Sequence, residues 1–328
     1  MSTEAPVALA HQADAPALGG SSAQRFLGAF DALLANVRSV VVAPERTVRL
    51  ALLGLFAEGH VLLEDRPGVG KTLLAKSIAG SIGGRFTRVQ FTPDLLPSDI
   101  TGSSIFDPRT NTFEFLPGPV FTNVLLADEL NRANPRTQSA LLEAMAESQV
   151  TTDGVSRPLP RPFMVIATQN SADSSGTFPL PDTELDRFLA RISLGLPTAE
   201  AELEIICRAE HGEPRVSPVL AVSEVLAMQD VVREVQLAVC VREYAVAIAG
   251  ALRAHPSVRG GMSPRGTMLL MRAAQAWAAC HGRDYVTPED VQAVAEVVLA
   301  HRIQTAEREA GVAEAIVVEV LRRVPVPV

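Results

Sequence analysis

Glu64-Asp65-Arg66-Pro67-Gly68-Val69-Gly70-Lys71-Thr72 decides how the rest of this chain is read. The apolar run Val61-Leu62-Leu63 precedes it and reads as a buried strand. Leu73-Leu74-Ala75-Lys76-Ser77-Ile78-Ala79 follows it with helical apolar spacing. A strand, a Gly-containing loop and a helix opening on Lys-Thr form the context that a phosphate-binding loop needs. Gly68 and Gly70 let backbone N–H groups approach phosphate oxygens, and the helix start adds the positive end of its dipole. Lys71 is expected to reach the β- and γ-phosphates of a nucleotide, and the Thr72 hydroxyl to hold Mg²⁺. The expected binding set is Arg66, Pro67, Gly68, Val69, Gly70, Lys71, Thr72 and Leu73. One position departs from the G-x-x-x-x-G-K-S/T pattern: Asp65 stands where the first Gly is usual.

A second signal lies downstream. Val124-Leu125-Leu126-Ala127 suits a central strand of a parallel sheet and ends in Asp128-Glu129. In open α/β sheets, chemistry sits beyond the carboxyl ends of strands. Asp128 is therefore the expected second Mg²⁺ ligand, and Glu129 the base that orients and deprotonates a water. The next apolar run, Phe163 to Thr168, ends in Gln169-Asn170, whose amides stand at the same sheet edge.

Working outward, residues 1–22 are rich in Ala, Ser, Pro and Gly and read as a disordered tail. Helices are expected over about 23–42 and 45–58, and strand and helix then alternate as far as Pro197, which implies βαβ units and a parallel sheet. Two β-hairpins interrupt the alternation, at about 103–116 and 149–160, the second turning at Asp153-Gly154. A short helix is expected over Glu184–Leu189, and a last strand over Ala190–Gly195. Residues 198–328 read as all-helical, so a boundary is expected near Pro197 between a 23–197 α/β unit and a 198–328 helical unit. Thr287-Pro288-Glu289-Asp290 starts one helix with a capping Thr, a Pro and acids in the first turn; Ser263-Pro264-Arg265 starts another with a capping Ser and a Pro, but puts a cation at the positive end of the dipole, which asks for a facing anion.

Composition bounds the function. The chain has 328 residues, is 47% hydrophobic and 20% charged, and carries a net charge of −8. That acidic balance argues against a broad nucleic-acid or membrane-surface footprint. Cys207, Cys240 and Cys280 are far apart and show no metal spacing, so they read as reduced core thiols. No apolar run approaches the roughly 20 residues of a membrane-spanning helix. The amino terminus has no basic segment leading into an apolar one. The expected location is the cytoplasm.

The order of these signals resembles the AAA+ ATPases. The resemblance sharpens to the MoxR family through Phe91-Thr92-Pro93-Asp94-Leu95-Leu96-Pro97-Ser98-Asp99-Ile100-Thr101-Gly102, Asp128-Glu129-Leu130-Asn131-Arg132-Ala133, Ala140 to Met145, Ala167 to Asn170, Leu185-Asp186-Arg187-Phe188 and Ser263-Pro264-Arg265, spread over about residues 25–320. It implies an α/β P-loop core with a parallel sheet and two hairpin insertions, followed by an all-helical lid. It implies ATP and Mg²⁺ as ligands, Asn170 as sensor 1, Arg187 as an arginine finger acting on a neighbouring subunit, and Arg265 as sensor 2. Arg191, within the last strand, is a weaker finger candidate. The family also implies a homo-oligomer, a hexameric ring, and chaperone-like work on protein clients with partners that carry a von Willebrand A domain. The alternative is a nucleic-acid motor like the minichromosome-maintenance helicases, which share the hairpins. Those need basic hairpin tips, whereas here Arg109 is the only cation of the first hairpin and the second turns on an Asp.

Overall fold

The computed structural model describes residues 22–66, 68–169, 176–210, 215–305 and 311–327. The tail expected over 1–22 lies outside this range except for Ser22, which starts a helix. In chain order come α1 (Ser22–Arg38), α2 (Glu45–Phe56), β1 (Val61–Glu64), α3 (Lys71–Ser81), β2 (Phe86–Gln90), a short α4 (Pro97–Thr101), the hairpin β3 (Gly102–Asp107) and β4 (Thr112–Pro117), and β5 (Val124–Asp128). They are followed by α5 (Pro135–Glu147), the hairpin β6 (Gln149–Thr152) and β7 (Val155–Pro158), β8 (Met164–Gln169), α6 (Asp182–Leu185) and β9 (Ala190–Ile192).

Five strands form one parallel sheet in the order β2-β5-β8-β1-β9. Its three inner strands, β5, β8 and β1, are near-continuous apolar runs because both their faces are covered. Alternate residues serve opposite faces. Val61, Leu63, Val124, Leu126, Met164 and Ile166 join a core with Phe26, Phe30, Phe56, Leu74 and Ile78 of α1, α2 and α3. Leu62, Leu125, Ala127, Val165 and Ala167 pack on the other side with Leu141 and Leu142 of α5 and with Phe188. Full burial of such a side chain stabilises by about 1.5–3 kcal/mol. A one-residue slip of any central strand would exchange the two faces. The parallel arrangement leaves the carboxyl ends of β1, β5 and β8 at one edge of the sheet, where the Asp65–Gly70 loop, Asp128-Glu129 and Gln169 meet.

The two hairpins form as expected. The second turns on Asp153 and Gly154, at φ 54° and 74°, the left-handed pair that a two-residue turn demands. The hairpins are joined to each other. Ser104 Oγ on β3 donates to Asp153 Oδ2 at 2.5 Å, and the Arg157 guanidinium on β7 lies over the Phe115 ring at 3.9 Å. Near the tip of the first hairpin, Phe106 and Phe113 stand as an exposed ring pair, 5.3 Å apart.

Beyond Pro197 come α7 (Ala199–Glu210), α8 (Val222–Glu234), α9 (Val239–Arg253), β10 (Val258–Gly260), α10 (Pro264–Ala279), α11 (Pro288–Leu299), β11 (Gln304–Thr305) and α12 (Val312–Arg323). The all-helical expectation needs a correction here, because β10 and β11 pair antiparallel. The helix starts behave as read: Ser263 Oγ accepts from the Gly266 N–H, and Thr287 forms a capping box with Asp290. Apolar residues of α8 to α12 belong to the same cluster as α1 and α2. The expectation of three core cysteines also needs correction. Cys280 is buried, while Cys207 and Cys240 are exposed on α7 and α9. Among the described residues no helix is long and apolar enough to cross a membrane.

Candidate nucleotide site

The loop between β1 and α3 is built for close approach. Gly68 and Gly70 take φ of 87° and 94°, and a Cβ at either would meet nothing within 4 Å, so both face open space. Gly70 is the left-handed residue that precedes α3. Pro67 lies outside the described residues. Lys71 opens the helix and donates from Nζ to the Asp65 carbonyl at 2.9 Å. Burial lowers the Lys71 pKa, while Asp65, Asp128 and Glu129 pull it back up. One ammonium therefore sits in the field of three carboxylates. Thr72, half-buried in the first turn, makes no hydrogen bond through its hydroxyl among the described residues. Arg66 is exposed, and Leu73 is half-buried against the apolar core.

Beside this loop opens a cavity of about 620 Å³. Gly68, Val69 and Gly70 form one wall, Val40–Pro44 a second, and Leu194–Thr198 with Ile205 of α7 a third. Arg208 of α7 also lines it, donating to the Ser39 carbonyl at 2.6 Å. A polar loop that opens into an apolar slot suits a ligand with a charged tail and a flat apolar end.

Asp65, the departure from the usual pattern, is 7% exposed and fully used. Its Oδ1 accepts from Ser193 Oγ at 2.6 Å and from the Gly195 N–H at 3.2 Å, and its Oδ2 accepts from the Leu194 N–H at 2.7 Å. The glycines of the loop keep their openness despite this substitution.

Asp128 and Glu129 stand at the end of β5, as expected. Thr168 on the adjacent β8 organises both: its hydroxyl donates to Asp128 Oδ1 at 2.7 Å and accepts the Glu129 N–H at 2.8 Å. Arg88 of β2 pairs with Asp128 Oδ2 at 2.6 Å. Glu129 has φ 56°, left-handed for a non-glycine residue, a conformation that costs about 1–2 kcal/mol and is held by its surroundings. Its Oε2 accepts from Gln90 Nε2 at 2.9 Å and from Arg132 Nε at 3.0 Å. Thr168, Arg88 and Gln90 escaped the sequence reading. The available signal was Arg88 and Gln90 at period two on the strand beside β5. Asn170 lies outside the described residues.

The two late arginines lie elsewhere. Arg187 is half-buried and donates from Nη1 to the Leu142 carbonyl of α5 at 2.5 Å. Arg265 is exposed at the start of α10, and its charge is felt by His60 and Arg302. His60 immediately precedes β1, at the opposite end of that strand from the phosphate loop. Burial, chiefly, lowers the His60 pKa from 6.5 to about 4, opposed by its bond to Met145 and helped by Arg265. The Val165 N–H donates to His60 Nδ1 at 3.0 Å, so Nε2 carries the proton given to the Met145 carbonyl at 3.1 Å. Asp186, next to Arg187, ties this region to the helices that follow. Its Oδ2 accepts from Ser263 Oγ at 2.9 Å and its Oδ1 from Arg302 Nε at 3.0 Å. That carboxylate is an anion close to the start of α10. Arg302 is nearly buried, and burial lowers its pKa to about 10 against the pull of Asp186. Arg191 is engaged internally, with Glu64 at 3.2 Å and Glu314 at 2.5 Å.

Comparison with known proteins agrees with this arrangement. Residues 60–190 match the ATPase family associated with various cellular activities (AAA), and residues 250–320 match the AAA lid domain. The chain is 48% identical to the Bacillus subtilis protein YeaC, over 89% of this chain and 93% of that one. It is 39% identical to chaperone MoxR1 of Mycobacterium tuberculosis, over 88% and 79% of the two chains. It is 32% identical to protein MoxR of Methylorubrum extorquens, over 82% and 85%. A crystal structure of a Cytophaga hutchinsonii protein superposes with a TM-score of 0.85 at 36% identity, covering 93% of this chain and 97% of that one.

Proposed function

The chain belongs to the MoxR family of AAA ATPases, and from that premise we propose that it is a Mg²⁺-dependent ATP hydrolase that works as a ring and remodels protein complexes. ATP binding and hydrolysis are the activity of the wider family. The observation that carries the reading for this chain is that the open loop between β1 and α3 and the Asp128-Glu129 end of β5 lie at the same carboxyl edge of one parallel sheet.

The residues fit the ligands. Open glycines and the first turn of α3 suit phosphate oxygens, and the apolar slot suits a purine base. Gly68, Val69 and Gly70 would offer backbone N–H groups, with Arg66, Pro67 and Leu73 flanking them. Lys71 would exchange its bond to the Asp65 carbonyl for one to phosphate, or share the two. Thr72 and Asp128 are oxygen donors of the kind Mg²⁺ takes, few in number because phosphate and water supply the rest. Mg²⁺, when bound, supplies charge neutralisation on the phosphate oxygens. Glu129 would take a proton from water after leaving Gln90 and Arg132. Asn170 would help to orient that water.

Arg187 is assigned to the neighbouring subunit's nucleotide by family resemblance, and Arg265 to the sensor 2 role. Asp186 joins the two arginine-bearing segments through its bond from Ser263. A positive group at that point of a phosphoryl transfer is worth about 10³–10⁵ in rate. The ring is taken as six-membered by family resemblance. Protein clients complete the reading, supported by a relative that is named a chaperone. A von Willebrand A-domain partner and a cytoplasmic location are added by family resemblance alone. The core-and-lid division is drawn near Pro197, where the parallel sheet ends.

The test is direct. Lys71→Ala should remove most ATP binding with the fold intact. Glu129→Gln should keep binding and lose hydrolysis, because an amide cannot accept the proton. Unchanged nucleotide affinity in the lysine variant would overturn the assignment.

A further inference from the structure

Asp65 occupies a position where a loop of this kind ordinarily has no side chain. Its carboxylate takes three donors from Ser193-Leu194-Gly195, the stretch that leaves β9. Its main-chain carbonyl takes a fourth, the Lys71 ammonium. One residue thus holds the phosphate-binding lysine through its backbone and a separate chain segment through its side chain. That segment continues as Leu194–Thr198, the third wall of the nucleotide cavity, and then becomes α7. Gly195 has φ 73°, so the wall bends sharply just where Asp65 grips it. Leu194 is buried, and its N–H would lose its acceptor if Asp65 were Gly.

We propose that Asp65 is a positioning residue that latches the Ser193–Gly195 segment to the head of the phosphate loop, fixing the wall that selects the nucleotide base. This rests on the ATP reading above. A loop headed by Gly would still have Gly68, Gly70 and Lys71 to meet phosphate. It could not hold the wall. The latch therefore governs base discrimination and affinity rather than the bond-breaking step.

The experiment compares the wild-type chain with Asp65→Asn, Asp65→Gly and Ser193→Ala, titrated with fluorescent analogues of ATP and of GTP and assayed for turnover of each. Asp65→Asn keeps the volume but turns an N–H₂ toward at least one of the three donors. Losing buried acceptors of this kind should weaken ATP affinity about tenfold in both Asp65 variants. Ser193→Ala removes one donor to Asp65 and one of the two acceptors of the Gly195 N–H, leaving the Leu194 bond in place, and should weaken it about two- to threefold. GTP should weaken less, so that the ATP-to-GTP ratio falls toward one. Ser193→Ala keeps the test decisive if the Asp65 variants fold poorly. Two results would overturn the latch: wild-type affinity and base ratio in all variants, or an equal loss for both nucleotides. A wild-type chain that binds neither nucleotide would overturn the ATP reading itself, and the latch with it.

Discussion

Asp128 offers one carboxylate oxygen to the Arg88 guanidinium at 2.6 Å and the other to the Thr168 hydroxyl at 2.7 Å. Both oxygens of the proposed Mg²⁺ ligand are thus engaged by side chains of the two flanking strands. Arg88 is about half exposed, so its share is that of a surface ion pair, about 0.2–1 kcal/mol. Arg88→Ala should then raise the apparent Mg²⁺ affinity about 1.5- to 5-fold, read from a Mg²⁺ titration of ATP turnover. A weaker Mg²⁺ requirement curve in the variant would mean that Arg88 holds Asp128 in place instead of competing for it.

The second prediction concerns the assignment of Arg187 across subunits. Arg187→Ala should bind ATP but lose most turnover, and wild-type specific activity should rise with protein concentration as rings form. Lys71→Ala subunits keep Arg187 and lack a nucleotide site; Arg187→Ala subunits have the site and lack the arginine. Mixed, they should recover part of the activity, because some interfaces join a competent site to an intact Arg187. If exchange of subunits is verified and the mixture stays inactive, Arg187 serves its own chain, through the carbonyl of Leu142 that it already holds.

A third prediction follows from His60. Its folded pKa is about 4, against 6.5 when exposed, so the unfolded chain binds the extra proton between those values. The stabilisation is complete above pH 6.5 and is lost as pH falls toward 4. The difference corresponds to about 3 kcal/mol for this group. His301, buried and likewise held well below its usual value, acts in the same direction. Urea unfolding at pH 7.5 and pH 4.5 should show the decline, and His60→Gln should lessen it, since its amide can still donate to Met145 and accept from Val165. An identical decline in that variant would remove His60 from the account.

The fourth prediction is that duplex and single-stranded DNA bind weakly at physiological ionic strength. A net charge of −8 leaves few cations to displace counterions from phosphate. Sub-micromolar affinity that falls steeply with added salt would instead favour a nucleic-acid motor.

What could be read from the sequence was local. The phosphate loop, the Asp128-Glu129 strand end and the Asp153-Gly154 turn each depend on neighbours within a few residues. The helix starts at Ser263 and Thr287 were readable for the same reason. Asp65 was visible as a departure, but its partners lie some 128 to 130 positions away, and no periodicity reports that distance. Arg88 and Gln90 carry no partner signal of their own; only the register that sets Gln90 opposite Asp128 gives them partners. The pairing of β10 with β11 involves two or three residues on each side, too few for an alternating pattern. Cys207 and Cys240 were misread because the lack of metal spacing does not say which face of α7 or α9 is covered.

The fastening of the two hairpins has a mechanical consequence. A lone two-stranded ribbon is weak and twists easily. Two ribbons clasped at Ser104–Asp153 and again at Arg157–Phe115 resist sliding past one another, as a laminated beam does. A pull on the Phe106–Phe113 end is then delivered to both roots together. One root runs from β4 into β5, which ends in Asp128; the other runs from β7 into β8, which carries Thr168. Load at the exposed tip and the hydrogen bond between Thr168 and Asp128 thus belong to one stiff frame.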